Sequence, residues 1–250
     1  ARCLMGQARL HDAFSTMSHA GEKSTEPLPH AVGRQMLEVF ADTPRINAWM
    51  YSKFSAHVRG KVLEVGSGVG NMSRLLVQNA EHVVLTDIED SYLACLRESF
   101  ANDRRVEVAR FELGTEPPPS VTRHRYDAIL AINVIEHVRD DFAALRTLAE
   151  LLKPGGHLLV YVPACQFAFG TLDEELAHFR RYSARGLADL LTRAGLLAGP
   201  VRYMNLPGLL GWIWNGRVRR ARALDRSNVL VLENIVRWVA RFEALVPPAI

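Results

Sequence analysis

Residues Val62–Asn71 read VLEVGSGVGN, an apolar, strand-forming run that breaks into glycines at positions 66, 68 and 70. Glycines at this spacing let a backbone turn tightly and approach a nucleotide cofactor. Hydride-transferring dinucleotide folds use G-x-G-x-x-G, in which the last glycine permits close packing of helix on strand. Here the pattern is G-x-G-x-G, and Asn71 stands where that last glycine is needed. Glu64 lies inside the strand just before the turn. A carboxylate there repels a pyrophosphate and attracts a cofactor that carries an ammonium group. Asp87 ends the next apolar run about 20 residues on, where an acid can accept hydrogen bonds from ribose hydroxyls. Together these features weigh against a nicotinamide oxidoreductase.

Outward from this turn, β-rich and helical runs alternate. KVLEV, HVVLT, RVEVARF, YDAILAI and HLLVYVP read as strands, while SRLLVQNA, DSYLACLRESF and DDFAALRTLAELL read as helices. Asp90 and Asp140 stand as candidate N-caps. The prolines 117–119 form a loop between strands, and Lys153-Pro154-Gly155-Gly156 stops a helix and turns into a strand. This alternation predicts an α/β fold with a mostly parallel sheet and helices on both faces. Residues 1–30 are polar and aperiodic and read as a tail. Residues 31–250 read as one domain: cap helices at 31–59, a cofactor-binding core at 60–163, an acceptor-side loop at 164–185 and a helical lid at 205–246. In the last third SARGLADLLTRAGL reads as helix, GPVRYM as a strand, and LPGLLGWIWNGRVRRARAL and VLVLENIVRWVARFEALV as two amphipathic helices.

In order and spacing, EVGSGVG, VVLTDI, YDAILAINVIEHV and LLKPGGHLLVYVP resemble the motifs of the class I S-adenosylmethionine-dependent methyltransferases. The resemblance implies their Rossmann-like fold with a seven-stranded-type sheet. It also implies S-adenosylmethionine as cofactor and S-adenosylhomocysteine as product. Gly66, Ser67, Gly68, Gly70 and Asn71 then approach the methionine end, with Glu64 near its ammonium. By the same resemblance Asp87 binds the ribose and Ile88 packs on the adenine. Phe111 and Glu112 fall where the family often has an acid for the adenine amino group, and Asn133 lies at the strand end near the methyl. In a subgroup of the family the final strand follows a PP-x-x-G segment, whereas this sequence stops at VPPAI, so the expectation is that the last strand is missing or the sheet edge is completed differently. An uncovered sheet edge favours pairing with another chain, which leaves the oligomeric state open.

AINVIEHV lacks the Asn/Asp-Pro-Pro-aromatic loop of enzymes that methylate exocyclic base amines, and resembles the loop of small-molecule and lipid-quinone methyltransferases. No cluster of oxygen ligands suggests a catechol-type metal site, and no metal is expected. The segment LDEELAHFRRYSARG, 172–186, resembles a subgroup with an LDxxxxHxRRYS motif after the fifth strand; Asn47, Trp49, Asn205, Gly208 and Trp212 extend the match. The resemblance puts this segment over the acceptor pocket. His178 is the first candidate general base, because an unperturbed imidazole titrates near physiological pH. His137 is a rival and Tyr182 a third catalytic candidate, while Trp49, Arg180 and Arg181 are candidates for holding the acceptor. The competing reading is a structural ion-pair corner among His178, the arginines, Asp173, Glu174 and Glu175.

The remaining totals bound the answer. The chain has 250 residues, 48% of them apolar, 23% charged, with a net charge of +3 that is too mild to argue for nucleic acid. Three cysteines without ligand or redox spacing fit a reduced, cytoplasmic compartment, and no signal peptide or spanning segment is expected. Residues 207–222 join an apolar patch to an arginine cluster, which suits either a lid or peripheral contact with an anionic membrane. The expected activity is in-line methyl transfer to a small or lipid-like metabolite. A cofactor-binding protein with a non-methylating cyclase or scaffold role, and a macromolecule methyltransferase, are the alternatives.

Overall fold

Five short apolar runs become strands whose side chains alternate between two hydrophobic layers. In the computed structural model, which describes residues 36–223 and 226–243, these are β1 (Lys61–Val65), β2 (His82–Asp87), β3 (Val106–Arg110), β4 (Tyr126–Ile132) and β5 (Leu152–Tyr161). Every neighbouring pair is parallel and the strand order is β3-β2-β1-β4-β5. Val62, Val83, Leu85, Ala128 and Leu130 point into one layer, and Leu63, Val84, Ile129 and Ala131 into the other. That period of two explains why each run reads as continuously apolar: both faces are covered.

Helices fill both layers. On the first side lie α2 (Pro44–Ser52), α3 (Ser73–Leu76), α4 (Asp90–Ser99) and α10 (Arg226–Glu243). On the second lie α6 (Asp141–Leu151) and α8 (Ala184–Arg193). In α6 the buried residues Ala144, Leu145, Leu148 and Leu151 form one stripe, and Asp140 caps the helix by accepting from the Ala143 N–H at 2.9 Å. Leu145 and Leu148 are fully buried, each contributing about 1.5–3 kcal/mol. A short helix α1 (residues 36–41) precedes α2. Between the strands and in the last third stand α5 (Pro119–Thr122), α7 (Thr171–Glu175) and α9 (Leu206–Ile213).

Several sequence expectations need correction. Residues 199–204, GPVRYM, are irregular and not a strand, so the described sheet has five strands. Its N-terminal half is glycine and proline, and the ring of Pro200 supplies no N–H to a ladder. Asp90 is the first helical residue of α4, with Glu89 in the cap position. Pro119 starts the turn α5 instead of a plain loop, as its fixed φ allows. α9 runs into a π-helical turn, Trp214–Val218, and residues 219–223, with Arg219, Arg220 and Arg222, are irregular where the sequence predicts helix. Residues 1–30 and the missing-strand question at 244–250 lie outside the described residues.

Candidate active site

In an open parallel sheet the crevice forms at the carboxyl ends of the strands, where the order reverses; here that point lies between β1 and β4. A cleft of about 2740 Å³ opens there and runs along β5 to α9 and α10. Ordinary small-ligand pockets reach roughly 1,000 Å³, so the cleft has room for a cofactor and a second bulky molecule.

The turn after β1 forms the cofactor side. Gly66 adopts φ +70°, and a Cβ there would lie 2.5 Å from Val134 Cγ2. Any side chain there would have to push the Val134 methyl aside and hold a left-handed backbone, so the position favours glycine. Glu64, Gly66, Ser67, Gly68, Asn71, Asp87, Ile88, Phe111 and Asn133 all line the cleft. Glu64 is buried and accepts a short hydrogen bond from the Ser73 hydroxyl. Burial pushes its carboxyl up to about 7, partly opposed by the Ser73 and Ser67 hydroxyls. Asp87 accepts from the N–H groups of Gly68 at 2.8 Å, Ile88 at 2.7 Å and Glu89 at 3.0 Å. Burial also raises Asp87, against the pull of these three bonds. The Asn71 amide donates to the Leu37 carbonyl at 3.1 Å, tying α1 to the glycine turn. Asn133 is held at φ +51° with its N–H on the Tyr161 carbonyl, so its backbone shapes the end of β4.

Four expected site residues stand off the cleft wall. Gly70 lets Leu96 and Phe100 pack against the turn. Glu112 points to solvent, and Leu113 takes the place on the wall. Trp49 is buried in the core beside Ile46 and Met50. Arg180 pairs with Asp141 at 2.6 Å and donates to the Arg139 carbonyl, which leaves its guanidinium spent on structure.

The acceptor side is organised by Asp173, which is fully buried. It takes His178 Nδ1 at 2.9 Å, Arg181 Nε at 2.8 Å, Trp212 Nε1 at 2.9 Å and the Gly170 N–H at 3.0 Å. Burial raises its carboxyl, but the bonds from His178, Trp212 and Arg181 outweigh that and hold it below the usual range. Arg181 is thus a strut, as the ion-pair reading anticipates; Glu175 pairs instead with Arg222 at 3.4 Å. The Tyr182 hydroxyl lies 3.0 Å from Asp141, and burial raises it far above the ordinary tyrosine value. His178 still faces the cleft, its ring 4.7 Å from that of His137 and stacked on Trp212. With Nδ1–H committed to a carboxylate, Nε2 is the basic nitrogen.

Sequence reasoning missed Glu136. It is completely buried in the turn after β4, and neither carboxylate oxygen has a hydrogen-bond partner of good geometry among the described residues. Burial drives its carboxyl up to about 8, opposed by its own backbone N–H and Arg181 and reinforced by Asp173. His137 is exposed, its ring 4.7 Å from that of His178. Glu136, His137 and His178 bring one donor atom each to within 4.8 Å of one another. The letters EH after a strand carry the only signal for this; nothing in them says that the first residue turns inward.

A glycine turn at the switch point, a buried acid before it and a second acid ending β2 define a nucleotide-cofactor α/β protein of the methyltransferase type. The chain belongs to the methyltransferase-domain family, which it matches over residues 32–197, and it has the fold of the class I S-adenosylmethionine-dependent methyltransferases. A ubiquinone biosynthesis O-methyltransferase of Aeromonas salmonicida is 28% identical over 112 residues, 45% of this chain and 47% of that protein. A highly reducing polyketide synthase of Pyrenophora dematioidea is 30% identical over 112 residues, 41% of this chain and 4% of that protein. The chain thus spans less than half the length of either relative. The YcgJ protein of Bacillus subtilis shares the fold, with a TM-score of 0.53 at 17% identity over 75% of this chain and 82% of that one. Among the described residues no helix is long and apolar enough to cross a membrane.

Proposed function

We propose that the chain methylates an oxygen of a small or lipid-like acceptor with a largely apolar body. The observation that carries this reading is the size and wall of the cleft beyond the glycine turn. There Phe167, Leu206, Leu210, Trp214, Val231, Ile235 and Trp238 line it while staying exposed. Such a wall suits an apolar molecule and offers little to a polyanion. The relatives named as ubiquinone O-methyltransferases support a hydroxyl acceptor.

When bound, S-adenosylmethionine supplies a methyl group on a positively charged sulfur. Of this chain's residues, Gly66 and Gly68 would admit the cofactor's methionine end, Glu64 would meet its ammonium and Asp87 its ribose. Ile88 and Phe111 would flank its base. Transfer of this kind depends on alignment and exclusion of water. Asn133 and Val134 fix the end of β4, and α9 and α10 wall off the acceptor side. The His178 Nε2, oriented through Asp173, would take a hydroxyl proton. Arg217, Arg219, Arg220 and Arg222 follow α9 in the chain, and their positive charge would hold the apolar wall against an anionic membrane from which a dissolved acceptor enters.

Incubation with methyl-labelled S-adenosylmethionine and a cell extract, separated into lipid, aqueous and macromolecular fractions, tests this. Label is expected in the lipid or aqueous fraction. Label in protein or RNA instead would establish the macromolecular alternative. Bound cofactor with no labelled product from any fraction would favour a non-methylating role.

A further inference from the structure

The geometry points to a divalent transition-metal site formed by Glu136, His137 and His178 on the floor of the acceptor cleft. Three independent features meet there. The first is the donor set: two imidazoles and one carboxylate, converging within 4.8 Å from the turn after β4 and the segment after α7. Around a tetrahedral zinc ion such donors stand about 3.3 Å apart, so rotation of the side chains closes the site without moving the backbone far.

The second is Glu136 itself. A fully buried carboxylate without a well-formed hydrogen bond is costly, and a cation is the partner that relieves it. The third is the outer shell. His178 gives its Nδ1–H to Asp173, which leaves its Nε2 for an ion, the arrangement that orients metal-binding histidines; the His137 ring stands 4.7 Å away. Glu136 brings one negative charge to the ion, while that of Asp173 is shared with the Arg181 guanidinium.

Two nitrogen donors of three select zinc and its first-row neighbours over magnesium or calcium. A second cluster, His82, Glu107 and His124, lacks these features. Its Glu107 is paired with Arg123, and Lys61 Nζ lies 3.4 Å from His124 Nδ1, so cations already fill it. In the cleft site the remaining coordination positions face the acceptor. The ion would acidify an acceptor hydroxyl so that its proton leaves to solvent through the open cleft, with His178 then serving as a ligand in place of the base role proposed for the metal-free site. Binding of the ion stands by itself; its use in catalysis rests on the methyltransferase reading.

The test is titration of the chelator-stripped chain with Zn2+ by calorimetry and with Co2+ by visible absorption, which reports the ligand field directly. One ion per chain is expected, with affinity reduced at least tenfold in Glu136→Gln and in His137→Asn. His82→Ala should leave binding unchanged. Cofactor affinity serves as the folding control, and His137→Asn, altered on the cleft surface, covers the case in which Glu136→Gln misfolds. No stoichiometric binding, or a Co2+ spectrum indifferent to both cleft substitutions, would overturn the site. Labelled product without bound metal would sink the metal while sparing the methyltransferase reading, and bound metal without product would do the reverse.

Discussion

Glu64 gives the sharpest quantitative expectation for the cofactor site. Its carboxyl is pushed from an ordinary 4.5 to about 7 by burial, and Asp87 adds to the rise. In that window the native state holds a proton that the unfolded chain has released. Stability therefore falls as pH rises from 4.5 to 7 and is flat above, a cost of about 3 kcal/mol from this group. A cofactor ammonium seated against Glu64 reverses the sign, because it favours the ionised form. Binding should then release protons: at pH 6, one unit below 7, about nine sites in ten are protonated. Calorimetry in two buffers of different ionisation enthalpy measures that release directly. The expected result is a release of about 0.9 proton at pH 6, falling to near zero at pH 8, with affinity rising about fivefold between pH 6 and 7. Glu64→Gln keeps the bond to Ser73 and should abolish both effects. Proton release that persists in Glu64→Gln, or an affinity indifferent to pH in the wild type, would refute the contact.

Asp87→Ala should weaken cofactor binding at least tenfold, about 1.4 kcal/mol, read by calorimetry; unchanged affinity would remove Asp87 from the ribose. His178→Ala should collapse turnover while cofactor affinity stays within twofold, and wild-type turnover would leave His178 as a mere part of the Asp173 corner. Binding to liposomes containing anionic lipid should be measurable by sedimentation at low salt and lost at high salt, as the arginines that follow α9 require. No sedimentation at low salt would end the membrane proposal.

The cofactor half of the fold is legible because its determinants are local. Strand runs buried on both faces need continuous apolar residues, and turns at a switch point need glycine, so both leave marks in neighbouring letters. The cap of α6 by Asp140 is of the same kind, three residues from its partner. The acceptor side is a matter of distant contacts. Arg180 and Arg181 are adjacent and chemically identical, yet one closes on Asp141 and the other on Asp173. Trp49 and Trp212 both sit in matching motif positions, but only Trp212 reaches the cleft. Glu136 reads as an ordinary surface acid until the turn after β4 buries it. In GPVRYM the alternation suggests a strand, but Pro200 and the absence of a partner leave it irregular.

One long-range contact sets the order in which the molecule can assemble. Thr43 makes no side-chain cap for α2; instead Glu233, in α10, accepts from the N–H groups of Arg45 and Ile46 at 2.9 Å each. A helix near the beginning is therefore finished by a carboxylate 188 positions later. During synthesis the first turn of α2 stays open until α10 has left the ribosome. In the mature protein the two helices should open as one cooperative unit, exchanging their amide hydrogens at a common rate. Because Asn71 fastens the glycine turn to the segment just before α2, a filled cofactor site should slow that exchange in α10 as well.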